Sequence, residues 1–253
     1  MPLTIHPNFV QFKKELNNFI DYFSSDGLLF GDGNRNKIKL FELGEKTINI
    51  KSFKIPNLFN QVIYKFFRKS KARRSYEFAN RLLEYEIGTP QPIAFCENAS
   101  FMGIQKSFYI SEHLQADLTF RELVEIPSYP DHENILRQFV QFSFRLHEKG
   151  VEFLDHSPGN TLIKKTTEGK YDFFLVDLNR MNFEVKMDLN CRMKNLSRLT
   201  PKMEMIAIMS NEYAKLYNKS FDDIHTSLRF HTEKFQAKYH FKQKLKNKFK
   251  LRK

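Results

Sequence analysis

Three polar side chains between Gly150 and Arg180 have the types and spacing for phosphoryl transfer. Asp155 and Asn160 stand five positions apart in LDHSPGN. Pro158 and Gly159 between them keep that segment out of a helix. Two short apolar runs follow, Thr161–Ile163 and Phe173–Val176, with a turn-like polar stretch, Thr166–Lys170, between them. This pattern reads as a β-hairpin, and Asp177 stands at the end of its second strand. A loop carboxylate can take or orient an attacking hydroxyl. A carboxamide and a second carboxylate can hold Mg²⁺ against the phosphates of ATP, because hard cations take oxygen ligands. The same residues could also be simple turn formers and a strand cap.

Such residues need rigid elements to present them. Gly27–Phe53 has the period of short strands, at Leu28–Phe30, Lys37–Phe41 and Thr47–Phe53. The first turn, GDGNRN, carries Gly31 and Gly33. Glycine there could let a backbone loop close over phosphates, and a plain hairpin turn would explain both residues equally well. Lys51 ends an apolar–x–apolar pattern on the third strand, which resembles the strand lysine of kinases. Pro56–Ile87 predicts a helix in two pieces, with Leu58, Val62, Phe66 and Phe67 as the apolar stripe of the first. The basic run Arg68–Arg74 comes next, then Glu77 in the first turns of the second piece, with Gly88 as its stop. Ile93–Cys96 and Gly103–Ile110 read as a strand pair, followed by the polar Ser111-Glu112-His113-Leu114.

The flanking segments are helical in period. Asn8–Phe23 aligns Phe9, Phe12, Leu16, Phe19, Ile20 and Phe23 on one face, with Asn8 as the expected N-cap. Asp131–Lys149 predicts a long helix closed by Gly150, and Met187–Phe230 is mostly helical. His147 reads as structural. From Lys238 to Lys253 there is no acidic residue, and Phe241, Leu245 and Phe249 recur every four positions among lysines. That is the pattern of a basic amphipathic helix suited to an anionic membrane surface, or else of a solubilising tail.

Composition narrows the class. The chain has 253 residues, enough for two lobes with a real core, and 41% are hydrophobic. It contains 27 phenylalanines and no tryptophan, so phenylalanine and leucine should dominate that core. Two distant cysteines, Cys96 and Cys191, exclude a disulfide framework and a C-x-x-C metal site. The N-terminus lacks the pattern of a signal peptide, and no apolar run reaches bilayer-spanning length. The expectation is a cytoplasmic protein, or one peripheral on the inner face of the cytoplasmic membrane. A net charge of +12 favours anionic partners. No nucleic-acid reading motif accompanies it, so no nucleic acid is expected.

Taken in order, these residues resemble a protein-kinase-like fold, and in detail the lipopolysaccharide-core sugar kinases, the Kdo and heptose kinase family. The passages that carry the resemblance are GDGNRNKIKLFE, INIKSFKIPN, SKARRSYEFANRLLEYEIGTPQPIAF, LDHSPGNTLI and FLVDLNRMNF. The S-P-G-N form is similar to aminoglycoside and choline kinases as well. The resemblance implies an α+β, bilobed fold, with a β-rich N-lobe over 27–113 and a helical C-lobe over 114–237; periodicity adds a helix over 1–26 ahead of them and the basic tail over 238–253 behind them. It implies ATP and Mg²⁺ as cofactors and a lipopolysaccharide precursor, or another sugar, as acceptor. Asp155 would be catalytic, and Asn160 and Asp177 would bind the metal. Lys51 would contact the phosphates with Glu77 holding it, Gly31 and Gly33 would close over them, and the backbone about Glu112 would meet adenine. Phe153 replaces the usual histidine before the catalytic aspartate, Leu178-Asn179 replaces Phe-Gly, and no A-P-E segment follows. A small-molecule or protein kinase, and a nucleotide-binding scaffold without turnover, are the rival readings.

Overall fold

The computed structural model describes residues 2–31, 36–53, 69–100 and 103–250. They form two compact units, Met1–Gln115 with Asp177–Asn179, and Ala116–Val176 with Arg180–Lys253.

The first unit is built on a six-stranded antiparallel sheet. Its strands are β1 (Leu3–Ile5), β2 (Leu28–Phe30), β3 (Lys37–Leu43), β4 (Lys46–Phe53), β5 (Pro92–Ser100) and β6 (Gly103–Glu112), in the order β1-β5-β6-β4-β3-β2. The three strands expected between Gly27 and Phe53 are all present. Strand alternation on β4 buries Ile48 and Ile50 on one face and turns Lys51 to the other. A 3-10 turn (Pro7–Phe12) leads into α1 (Lys13–Asp21), and the apolar stripe predicted there packs Phe9, Leu16, Ile20 and Phe23 onto the sheet core.

Three local expectations change. Residues 1–26 are not a separate segment, because Leu3, Thr4 and Ile5 pair with Cys96, Phe95 and Ala94 and add an edge strand. Three residues are too few to show a period. The cap of the first turn is His6, not Asn8; its ring accepts the Asn8 N–H, and Pro7 presets the backbone. Helix α2 (Lys71–Glu84) starts at Ser70, whose hydroxyl accepts the Arg73 N–H. It ends at Glu86 in the left-handed region (φ 58°), two residues before Gly88. The bond from Ile87 N–H to the Leu82 carbonyl closes that end locally. The expected helix over Leu58–Phe67, together with Gly33 and Arg68, lies outside the described residues.

The second unit is mainly helical. After β7 (Leu118–Thr119) come α3 (Phe120–Glu125), α4 (His132–Glu148), β8 (Glu152–Phe153), a 3-10 turn (Pro158–Asn160), β9 (Thr161–Thr167), β10 (Lys170–Leu175) and β11 (Met181–Asn182). Helices α5 (Leu189–Leu196), α6 (Met203–Tyr217) and α7 (Phe221–Lys250) complete it. The hairpin β9–β10 is present, with a tighter turn than expected, at Glu168–Gly169. Phenylalanine does fill the core. Phe120 packs on Phe139 with ring centroids 4.3 Å apart and the rings tilted by 43°, and Phe173 contacts Phe139 and Phe142. Each fully buried ring contributes roughly 2–3 kcal/mol. The tail expected from Lys238 is helical to Lys250, but it continues α7 without a break.

Candidate active site

The stretch around Asp155 is fixed from both ends. Gly150 takes φ 66° after α4, and its carbonyl accepts the Val185 N–H at 3.0 Å. A β-carbon there would lie 3.1 Å from the Val185 carbonyl oxygen, so glycine allows both the turn and the close approach. Strand β8 then pairs with β11, and the Leu154 N–H donates to the Arg180 carbonyl. Within the loop, Asn160 Nδ2 donates to the Asp155 carbonyl at 2.8 Å, closing the five-residue span on itself. The Asn160 carbonyl in turn accepts the Val176 N–H at the end of β10. Asp155 Oδ1 accepts from Arg180 Nη1 at 3.0 Å, and the side chain remains partly open to solvent.

In the first unit, Lys51 Nζ donates to Asp177 Oδ1 at 2.8 Å. The same oxygen accepts Asn179 Nδ2 at 2.7 Å. Asp177 has φ 59°, an uncommon region for a residue with a β-carbon and one often held at functional positions. Arg74 is buried, and its Nη1 donates to the Asn179 carbonyl at 2.5 Å. Part of the basic run is therefore structural.

Glu77 differs from expectation. Its carboxylate is held by Lys69 at 2.8 Å and Arg73 at 2.9 Å, whereas Lys51 is on Asp177. Arg73 is one helical turn away, so this pairing is local. Partial burial works against ionisation, but the hydrogen bonds from Lys69 and Arg73 outweigh it and hold the Glu77 carboxyl below its usual range. Glu112 ends β6. Its N–H donates to the Gln91 carbonyl, its carbonyl accepts Asn49 Nδ2, and its carboxylate pairs with Lys46. The carbonyl keeps a second lone pair. Gly31 follows β2 with φ 80° and nothing within 4 Å of a β-carbon built on it.

Oxygen donors suited to magnesium are present. With its amide nitrogen on Asp155, Asn160 has an unpartnered carboxamide oxygen among the described residues, and so does Asp177 at Oδ2. Each is an oxygen donor of the kind magnesium takes, Asn160 in the second unit and Asp177 in the first. No group of three or more His, Cys, Asp or Glu gathers among the described residues.

A buried network behind Asp155 carried no sequence signal beyond isolated polar residues. Asn195 Nδ2 donates to the Phe153 carbonyl at 2.8 Å. Its Oδ1, which can only accept, meets both His156 Nδ1 at 3.3 Å and His147 Nε2 at 3.2 Å. Each of those ring nitrogens must therefore carry its proton. His147 Nδ1 is left as an acceptor for the Tyr213 hydroxyl at 2.8 Å, and that hydroxyl accepts from Arg192. Burial pushes His147 down to about 3 and His156 to about 4, so both rings are neutral. His147 is structural, as its sequence position suggested.

An antiparallel sheet with a strand lysine and helix α2 beside it, and a helical unit with an Asp-x4-Asn loop ahead of a hairpin, define a protein-kinase-like fold. A profile of the lipopolysaccharide kinase (Kdo/WaaP) family matches residues 51–219. That is more than half of the chain, and the protein belongs to this family: it is a lipopolysaccharide kinase. A solved structure titled "WaaP in complex with acyl carrier protein" is similar to it, with a TM-score of 0.65 and 15% identity over 94% of this chain and 99% of the other. At that identity the likeness speaks for the fold. No curated protein sequence matches.

Proposed function

We propose that this protein transfers the γ-phosphoryl group of ATP to a sugar hydroxyl of the lipopolysaccharide core, on Kdo or heptose, at the cytoplasmic face of the membrane. The observation that carries the reading is the Lys51–Asp177 pair. Two residues assigned to the nucleotide site from separate stretches of sequence meet at 2.8 Å.

Asp155 takes or orients the acceptor hydroxyl. Its Oδ1 is held by Arg180, which leaves Oδ2 for that proton. Lys51 binds the phosphates. Gly31, at the end of β2, lets the backbone approach them, Gly33 is assigned to the same role from the sequence, and the Glu112 carbonyl accepts from adenine. Glu77 acts indirectly, by ordering Lys69 and Arg73 at the start of α2. Asn160 and Asp177 would hold Mg²⁺, which when bound neutralises phosphate charge. Catalysis on this plan is positioning and electrostatics rather than covalent chemistry.

Among the described residues no helix is long and apolar enough to cross a membrane. A lipid-linked acceptor would have to be met at the surface, and the basic end of α7 suits that. An acyl carrier protein is the second candidate for the same end, given the complex named in the WaaP structure.

The deciding experiment incubates the purified protein with ATP, Mg²⁺ and lipopolysaccharide precursors and looks for an added phosphate by mass spectrometry. An Asp155→Asn variant should bind ATP as the wild type does and lose roughly 10²–10⁴ in turnover. ATP binding without transfer to any precursor would favour a scaffold, and transfer to a protein or small molecule would favour another kinase.

A further inference from the structure

Asp155 is flanked by more positive charge than one carboxylate can match. Arg180 Nη1 lies 3.0 Å, and Arg198 Nη1 3.7 Å, from the same oxygen, Oδ1. The main chain at Arg180 and the side chain of Arg198 are both fixed. The Arg180 carbonyl accepts the Leu154 N–H, and the next residue, Met181, pairs with Phe153. Arg198 donates to the Leu154 carbonyl at 2.5 Å and packs its guanidinium over Phe235, 5.4 Å from the ring centre. A third guanidinium, Arg121, lies over Gly159 of the same loop.

These contacts use little of what two guanidiniums offer. Each has five N–H donors in a planar fork that matches a carboxylate or phosphate. Arg180 and Arg198 remain 51% and 40% exposed, against 27% for Asp155. An ordinary exposed ion pair needs one cation, and its net value is small. The second cation, placed by backbone contacts beside the residue that meets the acceptor, calls for a second anion. The fork supplies specificity as well as charge, because bidentate recognition fixes orientation.

We propose that Arg180 and Arg198 form an anion subsite beside Asp155 that takes a carboxylate or phosphate of the acceptor, selecting an acidic sugar over a neutral one. The inference rests on the reading of Asp155 as the group that orients the acceptor hydroxyl. The anion lies beside the hydroxyl to be phosphorylated, and binding it draws the guanidiniums partly off Oδ1.

The test has a binding arm and a kinetic arm. Binding is measured by ligand-observed NMR with free Kdo, whose acid is a carboxylate, and with its carboxyl-reduced form. A heptose phosphate and the plain heptose make the matching phosphate pair. Wild type should bind the acidic member of at least one pair and not its neutral partner. Arg180→Ala and Arg198→Ala should each weaken that binding roughly ten- to a hundredfold, the size of a charged hydrogen bond. Arg180→Lys should restore part of it. In turnover assays the acceptor KM should rise in the same variants while the ATP KM stays put. Equal binding of acidic and neutral sugars, or variants that bind as wild type does, would overturn the subsite. So would a rise in ATP KM alone, which would assign the arginines to the nucleotide. Circular dichroism confirms that each variant is folded, and Arg180→Lys carries the test if an alanine variant is not. Arginine-dependent binding of an acidic sugar without its phosphorylation would count against the sugar-kinase reading and leave the subsite standing. Turnover with KM values untouched by the variants would do the reverse.

Discussion

Lys51 and Asp177, 126 positions apart, share a hydrogen bond of 2.8 Å, and Asp177 is in the left-handed backbone region. The carboxylate is turned toward the lysine by its own neighbour, since Asn179 Nδ2 binds the same oxygen. Behind it, buried Arg74 holds the Asn179 carbonyl. Strand lysine, aspartate, asparagine and helix arginine thus form one connected set. The left-handed conformation costs of order 1 kcal/mol for a residue with a β-carbon, and these bonds offset it.

This arrangement predicts which residues act as a unit. Lys51→Ala and Asp177→Asn should be strongly non-additive in kcat/KM, because each removes the same contact. Lys51→Ala and Glu77→Gln should be additive. Glu77→Gln alone should cost only about 0.5–1 kcal/mol of stability, as expected for half-exposed pairs. A double-mutant cycle measures both. Additive Lys51 and Asp177 losses, or strong coupling of Lys51 to Glu77, would restore the pairing expected from sequence.

Legibility in the sequence tracked periodicity. β2, β3, β4, α2, α4 and the hairpin after Asn160 have clean periods of two or 3.6, and all were readable with shifts of a few residues at their ends. The Asp155–Asn160 span was readable as a loop because Pro158 and Gly159 keep it out of a helix, and Asp177 as a strand end because the hairpin before it shows its period. β1 was invisible, since three residues cannot show a period and its partner is remote in sequence. The Glu77 pairing was misjudged because position along the chain does not reveal that Lys69 and Arg73 reach it first. Arg74, Asn195, Arg180 and Arg198 matter through contacts 25 to 105 positions away, or about 40 for Asn195, and no local pattern marks those.

Asn195 should be a structural keystone of the loop around Asp155. Its removal would strand two histidine N–H groups and the Phe153 carbonyl in the interior. Buried polar groups without partners cost about 1–3 kcal/mol each, so Asn195→Ala should lose about 2–4 kcal/mol after local relaxation. Urea unfolding gives the value. A loss below about 1 kcal/mol would mean that water or another side chain replaces the amide, and the network would not be what fixes the loop.

The same network sets an acid limit. His147 and His156 fall from an ordinary value of 6.5 to about 3 and about 4, mainly through burial. His156 Nε2 is buried without a partner among the described residues, so none of them compensates a proton there. Below pH 6.5 the unfolded chain takes up protons that the folded chain refuses, and unfolding is favoured. Stability should therefore be flat above about pH 7 and fall from pH 6.5 toward pH 4. Each histidine adds a slope of up to about 1.4 kcal/mol per pH unit. Urea midpoints across that range test this, with a His147→Gln variant expected to flatten the curve. Stability that rises on acidification would show that the rings are charged in the fold.

The last prediction concerns the end of α7. From Ala237 to Lys248 every residue but Gln243 is exposed. Phe241 and Leu245, one turn apart, are 62% and 39% exposed, and Tyr239 is 48% exposed. Lysines at 238, 242, 244, 246 and 248 surround them, with no acid after Glu233. A purely solubilising helix has no use for exposed phenylalanine and leucine between its lysines. An interfacial one does, because the rings enter the headgroup boundary while the cations meet acidic lipid. Each engaged lysine contributes about 1 kcal/mol near an anionic leaflet, so a few suffice for reversible binding. Salt shortens the reach of that attraction. The protein should therefore sediment with vesicles of mixed phosphatidylglycerol and phosphatidylcholine at low salt and be released at high salt. Removing residues 238–253 should abolish sedimentation while leaving activity on a soluble acceptor fragment intact. Phe241→Ser with Leu245→Ser should weaken binding at every salt concentration, since it removes the apolar share alone. Undiminished vesicle binding by the truncated protein would show that the helix end is not the anchor, and the placement of this kinase at a membrane would then have to rest on another surface.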